Sequence, residues 1–424
     1  MKKNCTVTLL GVAVLIAATP LSIWASGNND SGSKVTTIEF AQWWAPEMPA
    51  GSLEKVIAGF EAKNPDIKVK LISNPTGEHQ QWVTVAAASG TLSDVVAVEP
   101  ALMDSMVKQN VIMSLEDLIK RDNFNLDQLA SIPRVDGKIW LFQVATFFYP
   151  LFYNTDLFKA AGIANPPRTH SEFIDACAKL TDPARNVYGW SFPMTVNPPF
   201  GSQNQILAWL WASQKSAFQN GKPNINTPDA AVVYNMLKTI YDRKIINPGS
   251  LTKSEPEEME EFANGNAAMM FGSIAHINPI HERNPNLNYA LAPVPVADNY
   301  TGKPGICYAA WGVGIAPNSK HKDEAWRLVQ YLVSPEANAA IAQSSNSFPG
   351  NKNAKPDYSA ADPHFAEAFR VFQQVDLKNE LIGANNVWNL VTIMAEEIHG
   401  LLEGKQTTAM TLANTQERWL EEYK

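Results

Sequence analysis

The sequence predicts an α/β fold arranged as two lobes. At 424 residues the chain exceeds what one hydrophobic core usually serves. From Thr36 to Val98 strand and helix patterns alternate as β-α-β-α-β, the rhythm of a parallel, doubly wound sheet. Ile139–Phe152 is almost wholly apolar or aromatic. It is too short and too Pro-interrupted for a membrane span, so it reads as a strand buried on both faces.

The elements follow in order. Lys2 and Lys3, the apolar run Val7–Ala18 and the break at Pro20 read as a cleavable export signal over residues 1–25. Cys5 precedes the apolar run instead of following it, so a lipid-anchoring cysteine is not expected, and the expected location is the periplasm. Residues 26–34, rich in Gly, Asn and Ser, form a linker. Thr36–Phe40 is a strand. Ser52–Lys63 is an amphipathic helix with Leu53, Val56, Ile57 and Phe60 on one face, stopped at Asn64-Pro65. Ile67–Ile72 alternates as a half-exposed strand, a helix runs from about Glu78 to Ala88, and Asp94–Val98 is a short buried strand.

Asp136-Gly137 is a tight turn. Tyr153–Asp156 opens a short helix closed by Ala160-Ala161-Gly162. Pro166-Pro167 blocks its continuation, and Thr169 caps a helix over Ser171–Leu180. Helices over Gln203–Ser213, Asp229–Asp242 and Glu255–Gly265 follow, with strands at Ala267–Phe271 and Tyr289–Pro295. Ile306–Pro317 is an apolar strand of small residues, and Lys322–Leu332 is helical.

A formal charge of −8 argues against a nucleic-acid partner, which would favour a basic face. Twelve Trp residues are many for a core alone, and Trp is a favoured stacking surface for the apolar faces of sugar rings. Cys177 and Cys307 read as buried thiols, with a bridge between them permitted in an oxidising compartment.

Several segments, taken in order, resemble the extracellular solute-binding proteins of ABC transporters, in their carbohydrate-binding, maltose-binding-protein-like group. Phe60-Glu61 through Asn64-Pro65 with Ile67 and Val69 is similar to that family's "FExxxPxIxV". Ala86–Gly90 with Asp94-Val95-Val96 is similar to "AxAxGxxxDVV", with Leu92-Ser93 where Pro often precedes the Asp. Asp136–Phe173 resembles "DGKxY…P…xxYNxxLFxxAGxxxPPxTxxEF". "EEFANGNAAMMFG", "KDEAWRLVQYL" and the turn Ser347-Phe348-Pro349 resemble later family segments, and Leu401–Leu420 the terminal helices.

The resemblance implies a periplasmic-binding-protein-like fold of two discontinuous α/β lobes joined by a hinge of crossing strands. Residues 35–147 with 312–370 would form one lobe, and 148–311 with 371–424 the other. It also implies a carbohydrate ligand, an inner-membrane ABC permease as partner, a monomer, and neither enzymatic turnover nor a cofactor.

No catalytic constellation stands out. There is no G-x-S-x-G elbow and no phosphate loop, and Gly312-Val313-Gly314 lacks the third Gly of a dinucleotide loop. His276 and His281 lack helical metal-ligand spacing. The acidic run Glu255–Glu261 reads as a solvated face.

A sugar site needs rings for apolar faces and carboxylates or amides for hydroxyls, set beyond the carboxyl ends of strands. That rule selects Gln42, Trp43, Trp44 and Glu47 after the first strand, and Glu99 after Asp94–Val98, where a helix N-terminal acid is nearly as good a reading. Phe147, Phe148 and Tyr149 lie on the first crossing strand, where alternation places some inward, and Trp311 lies among small residues on the second. Of Trp209 and Trp211, two apart on a helix, one is expected in the core and the other as a stacking platform. The family resemblance adds Ser273 and the loop Asn385, Asn386 and Trp388. Glu78, Gln81 and Trp82 begin a helix near the same place. Glu47, Glu78 and Glu99 would equally suit a polyamine, with peptide or metal-chelate receptors as further alternatives. A secreted carbohydrate-active enzyme would need a facing pair of carboxylates.

Overall fold

The structure is a computed structural model that describes residues 35–74, 76–359 and 362–423; the export signal and linker expected over residues 1–34 lie outside them. The strands are β1 (Thr36–Gln42), β2 (Ile67–Ser73), β3 (Val95–Val98), β4 (Phe142–Phe148), β5 (Leu151–Asn154), β6 (Phe218–Gln219), β7 (Lys222–Pro223), β8 (Met269–Phe271), β9 (Tyr289–Ala292), β10 (Gly305–Ile315), β11 (Phe348–Pro349) and β12 (Asp376–Lys378). Two sheets matter for function. The larger has the order β11-β4-β10-β3-β1-β2, with β12 on the outer part of β10; the smaller is β8-β5-β9, and β6 and β7 form a separate hairpin.

The predicted β-α-β-α-β unit is present. β1 pairs in parallel with β2 and with β3, with the helices Ser52–Lys63 and Thr76–Ser89 as crossovers. β3 is buried throughout because both faces of its sheet are covered. Val95 and Ala97 point into the main core, and Val96 and Val98 into a second cluster with Val83, Met103, Ile112 and Leu141. The sheet is mixed, not purely parallel. β10 runs antiparallel between β3 and β4, since it returns from the other sheet. The smaller sheet is antiparallel throughout.

Two segments join the sheets. β4 belongs to the larger sheet, Pro150 breaks the ladder, and β5 continues into the smaller sheet. β10 reaches past the end of β4, so that Gly305–Cys307 pair instead with β12. The helix Pro363–Gln374 bridges the sheets, with His364 stacked on Tyr289 of β9 at 3.6 Å and Phe372 on Phe348 of β11 at 4.4 Å.

Local rules explain the boundaries. Asp136 and Gly137 both take positive φ in a turn closed by Val135 and Lys138. Asn154 caps the helix Thr155–Ala160 by accepting from Leu157 N–H, and Thr169 caps His170–Leu180 by accepting from Glu172 N–H. Ser347-Phe348-Pro349, expected as a turn, contributes the short strand β11 on β4. Cys177 and Cys307 are buried, unbridged thiols.

Candidate functional site

The site grows out of the turn after β1. Gln42 is buried and fixes that turn, accepting from Ala45 N–H at 2.8 Å while its amide donates to Ser73 Oγ at 2.6 Å. The turn carries Trp43, Trp44 and Glu47. Trp44 lies parallel to Trp311 of β10, with ring centroids 5.1 Å apart and planes 8° apart, and edge-on to Phe40. Trp43 is edge-on to Trp44 and 5.0 Å from the ring of His79. Trp311 also meets Phe147 of β4 at 4.7 Å. The β10–β4 register slips between Trp311 and Gly312, and such a bulge re-aims the side chain beside it. Gly312 is required there, since a Cβ would sit 2.7 Å from the carbonyl of Val98.

Polar groups from both sheets gather nearby. Glu99 ends β3 and hydrogen-bonds to Gln203; burial pushes its carboxyl up to about 7. Glu255 opens the helix Glu255–Ala263. It accepts from Asn204 Nδ2 at 3.3 Å and from the hydroxyl of Tyr149, and His276 Nε2 lies 3.6 Å away. Burial first, then the negative charges of Glu47 and Glu99, push Glu255 up to about 8. Burial holds His276 down at about 4, so it is neutral. Asn204 Oδ1 accepts from Gln203 at 3.1 Å, and Cys307 Sγ lies 3.8 Å from it. Tyr149 N–H donates to the carbonyl of Cys307 at 3.0 Å, and burial followed by Glu255 raises its phenol well above the usual range. Glu47, Glu99 and Glu255 therefore gather around Tyr149, Asn204 and Gln203.

Of the residues the sequence singles out, Trp43, Trp44, Glu47, Glu99, Phe147, Tyr149 and Trp311 join this cluster. Others take different places. Phe148 packs between Phe348 and Phe372 in the core. The stacking platform expected from Trp209 or Trp211 is not formed. Trp209 is buried among His170, Phe173, Trp190 and Phe271. Trp211 is buried with its indole N–H on Glu380 at 2.9 Å. Ser273 caps Ala275 N–H. Glu78 and Gln81 are exposed on the helix Thr76–Ser89, and Trp82 packs against the second core cluster. Asn386 takes positive φ and donates its N–H to Asp104 Oδ2 at 2.9 Å. Trp388 meets Phe200 edge-on and lines a cavity of about 390 Å³ with Gln80, Gln81, Gln109, Met106 and Asn197. That volume suits a small-molecule pocket. A wider hollow of about 860 Å³ lies against Pro166, Pro167 and the helix His170–Leu180, on elements that carry none of the converging groups.

Two features escape the sequence reading. The acidic run is a solvated face only in part, at Glu257 and at Glu260, which pairs with Arg283. Glu258 is fully buried and bonded by Gln205, Glu255 turns into the cluster, and Glu261 pairs with Lys253 at 2.6 Å. The signal lay in the spacing of Glu255, Glu258 and Phe262, which share one face of the helix. The second feature is Ser202–Leu207, expected as α-helix but wound as a π-helix. Its wider turn buries three consecutive polar side chains, Gln203, Asn204 and Gln205, and such turns are frequent at functional sites.

Residues 45–339 match the family model described as bacterial extracellular solute-binding protein. The chain belongs to this family. This solute-binding protein is 26% identical over 358 residues to a binding protein of Brucella abortus, covering 82% of this chain and 83% of that one. Its fold is similar to that of an ABC substrate-binding protein from Listeria monocytogenes in complex with cycloalternan (TM-score 0.76, 22% identity, 92% of this chain and 99% of that chain). It is likewise similar to that of a solute-binding protein from Thermotoga lettingae bound with α-D-tagatose (TM-score 0.78, 19% identity, 92% and 100%). The two-lobed, periplasmic-binding-protein-like fold expected from the sequence is thereby established.

Proposed function

We propose that this solute-binding protein captures a carbohydrate, as a mono- or oligosaccharide, polyol or glycoside, in the cleft between two lobes. It would then deliver the ligand, as a periplasmic monomer without catalytic turnover, to an inner-membrane ABC permease. The lobes would comprise residues 35–147 with 312–370, and 148–311 with 371–424. The observation that carries this reading is the convergence of Glu99, Glu255, Gln203, Asn204 and Tyr149 from elements of both sheets, with Glu47, on the turn that bears Trp43 and Trp44, acting on the same Glu255. Rings meet the apolar face of a sugar, and carboxyls and amides meet its hydroxyls. The sugar ligands of the two similar structures point the same way. Ligand that touches both lobes favours the closed form by its extra affinity for that form.

The test is a thermal-shift screen of the mature chain against monosaccharides, disaccharides and polyols. A ligand that binds only the native state raises its melting temperature saturably. Trp43→Ala is expected to abolish that shift while leaving the circular dichroism spectrum unchanged. An unaltered shift in the variant would remove the tryptophan turn from the site.

A further inference from the structure

The cavity of about 390 Å³ differs in chemistry from the acidic cluster, since none of Glu47, Glu99 and Glu255 lines it. One wall is built on the larger sheet. The helix Thr76–Ser89, a crossover of that sheet, supplies Gln80, Gln81 and Thr84, and the short helix Met103–Lys108 supplies Met106, with Gln109 just beyond it. The other wall is Asn197 with Trp388 and Thr392 of the helix Val387–Leu402. That helix meets the π-helix Ser202–Leu207, where the Ser202 hydroxyl donates to the carbonyl of Val391 at 2.6 Å. The first wall thus lies within residues 35–147, and the second within 148–311 and 371–424.

No ionisable side chain is among the residues that line this cavity. The charges of the short helix are engaged elsewhere: Asp104 and Lys108 pair at 2.9 Å, and both meet Asn386. The lining is amides, hydroxyls, aliphatic groups, Met106 and the ring of Trp388, which Phe200 meets edge-on at 6.0 Å. Its amides keep bonding capacity. Gln109 Oε1 accepts from the Thr84 hydroxyl at 2.7 Å, so its amide N–H groups remain to donate. Gln80 Nε2 donates to Met106 Sδ at 2.6 Å, so its Oε1 remains to accept. Among the described residues, no hydrogen bond engages the side-chain amide of Gln81 or of Asn197, whose backbone N–H donates to Thr195 Oγ1 at 3.4 Å. A carboxamide both donates and accepts, and so does a sugar hydroxyl. A charged group brought here would lose its water without meeting a counter-charge.

We propose that this cavity receives an uncharged saccharide ring of the captured solute, with the ring's apolar face on Trp388 and its hydroxyls on the amides of Gln81, Gln109 and Asn197. This rests on the carbohydrate reading and narrows it, because sugar acids, amino sugars and sugar phosphates are disfavoured. The volume sits near the small end of the range for small-molecule sites, about 300–1,000 Å³, which suits a ring or a short saccharide. A ring held here touches both walls, so it favours the form in which they meet by its extra affinity for that form.

Calorimetry on the mature chain tests this with D-glucose, D-galactose, D-mannose, their disaccharides, and the uronate, amine and phosphate derivatives of each. A neutral sugar should bind, and its charged derivatives should bind less tightly by about tenfold or more. Gln81 and Gln109 are exposed, so Gln81→Ala and Gln109→Ala keep the fold, and each should lower the affinity for that sugar about fivefold. Trp388→Ala should lower it by about tenfold or more. Gln109→Glu should raise the affinity of the amine derivative above that of its neutral parent, a reversal that a merely structural role would not produce. Charged derivatives that bind as tightly as the neutral sugar, or native affinity in the three alanine variants, would overturn this inference and leave the carbohydrate reading standing. Binding by no sugar in the panel would count against both.

Discussion

Glu255 and Glu99 are the candidate-site carboxyls whose chemistry departs from ordinary behaviour. Both carboxyls are raised, to about 8 and about 7, by burial and, for Glu255, by neighbouring negative charge. The folded protein thus binds protons that the unfolded chain has already released. Stability from these groups is present in mild acid and is lost as pH rises from the ordinary glutamate range through about 8. Glu255→Gln is expected to flatten the alkaline fall of the melting temperature in ligand-free protein, and a variant with the native slope would contradict the assignment. Trp44, Glu99 and Trp311 were legible in the sequence because each follows a strand end or sits among small residues. Asn204, His276 and Glu255 were not. Their inward direction is decided by helices packing on distant segments, and nothing local distinguishes them from polar residues facing water.

At the scale of elements, strands and capped helices were the legible part. Ser52–Lys63 and Lys322–Leu332 run over the residues their periodicity indicates. The antiparallel insertion of β10 was not readable from its run of small apolar residues, because register is set by partners far along the chain. The π-helix at Ser202–Leu207 escaped for a related reason, since its winding answers to Glu255, Glu258 and Val391. The bulge at Gly312 offers the sharpest test. With the Val98 carbonyl 2.7 Å from where a Cβ would be, Gly312→Ala must push β10 away from β3. We expect a loss of about 1–3 kcal/mol in chemical denaturation. Ligand affinity should fall beyond what that loss explains, because Trp311 is re-aimed. Native affinity in a destabilised variant would show that the bulge serves packing alone.

For the whole molecule, two sets of polar contacts join the elements around one sheet to those around the other. Asp104 accepts from Asn386 N–H, and Lys108 donates to the same asparagine's Oδ1 at 3.3 Å. On another side, Asn278 donates to the carbonyl of Ser344 at 3.2 Å and accepts from Asn346 at 2.8 Å. The asparagine contacts on the second side are neutral and worth about 1 kcal/mol each, and those to Asp104 and Lys108 are charge-assisted and worth about 1.5–3 kcal/mol, together enough to bias a closing equilibrium without locking it. Asn278→Ala combined with Asp104→Asn should enlarge the radius of gyration of ligand-free protein in X-ray scattering and weaken ligand binding; unchanged scattering would mean that the lobes do not part at these contacts. Acid acts on the whole fold through His79, His170 and His276, each held neutral by burial with its pKa lowered to about 4. Their contribution is full above the ordinary histidine range and is lost as pH falls toward about 4. The two limbs overlap, three histidines opposing two glutamates, so a melting temperature that peaks near the ordinary histidine range and falls toward pH 8 is the expected profile.

The position of β10 has a consequence for how the chain is made. β3 and β4 both lie beside β10, so each keeps an unpaired edge until residues 305–315 have been synthesised. The larger sheet therefore cannot close while most of the polypeptide is still missing, and contacts spanning so much sequence form slowly. A late-arriving central strand therefore holds back closure of the larger sheet until residues 305–315 are available.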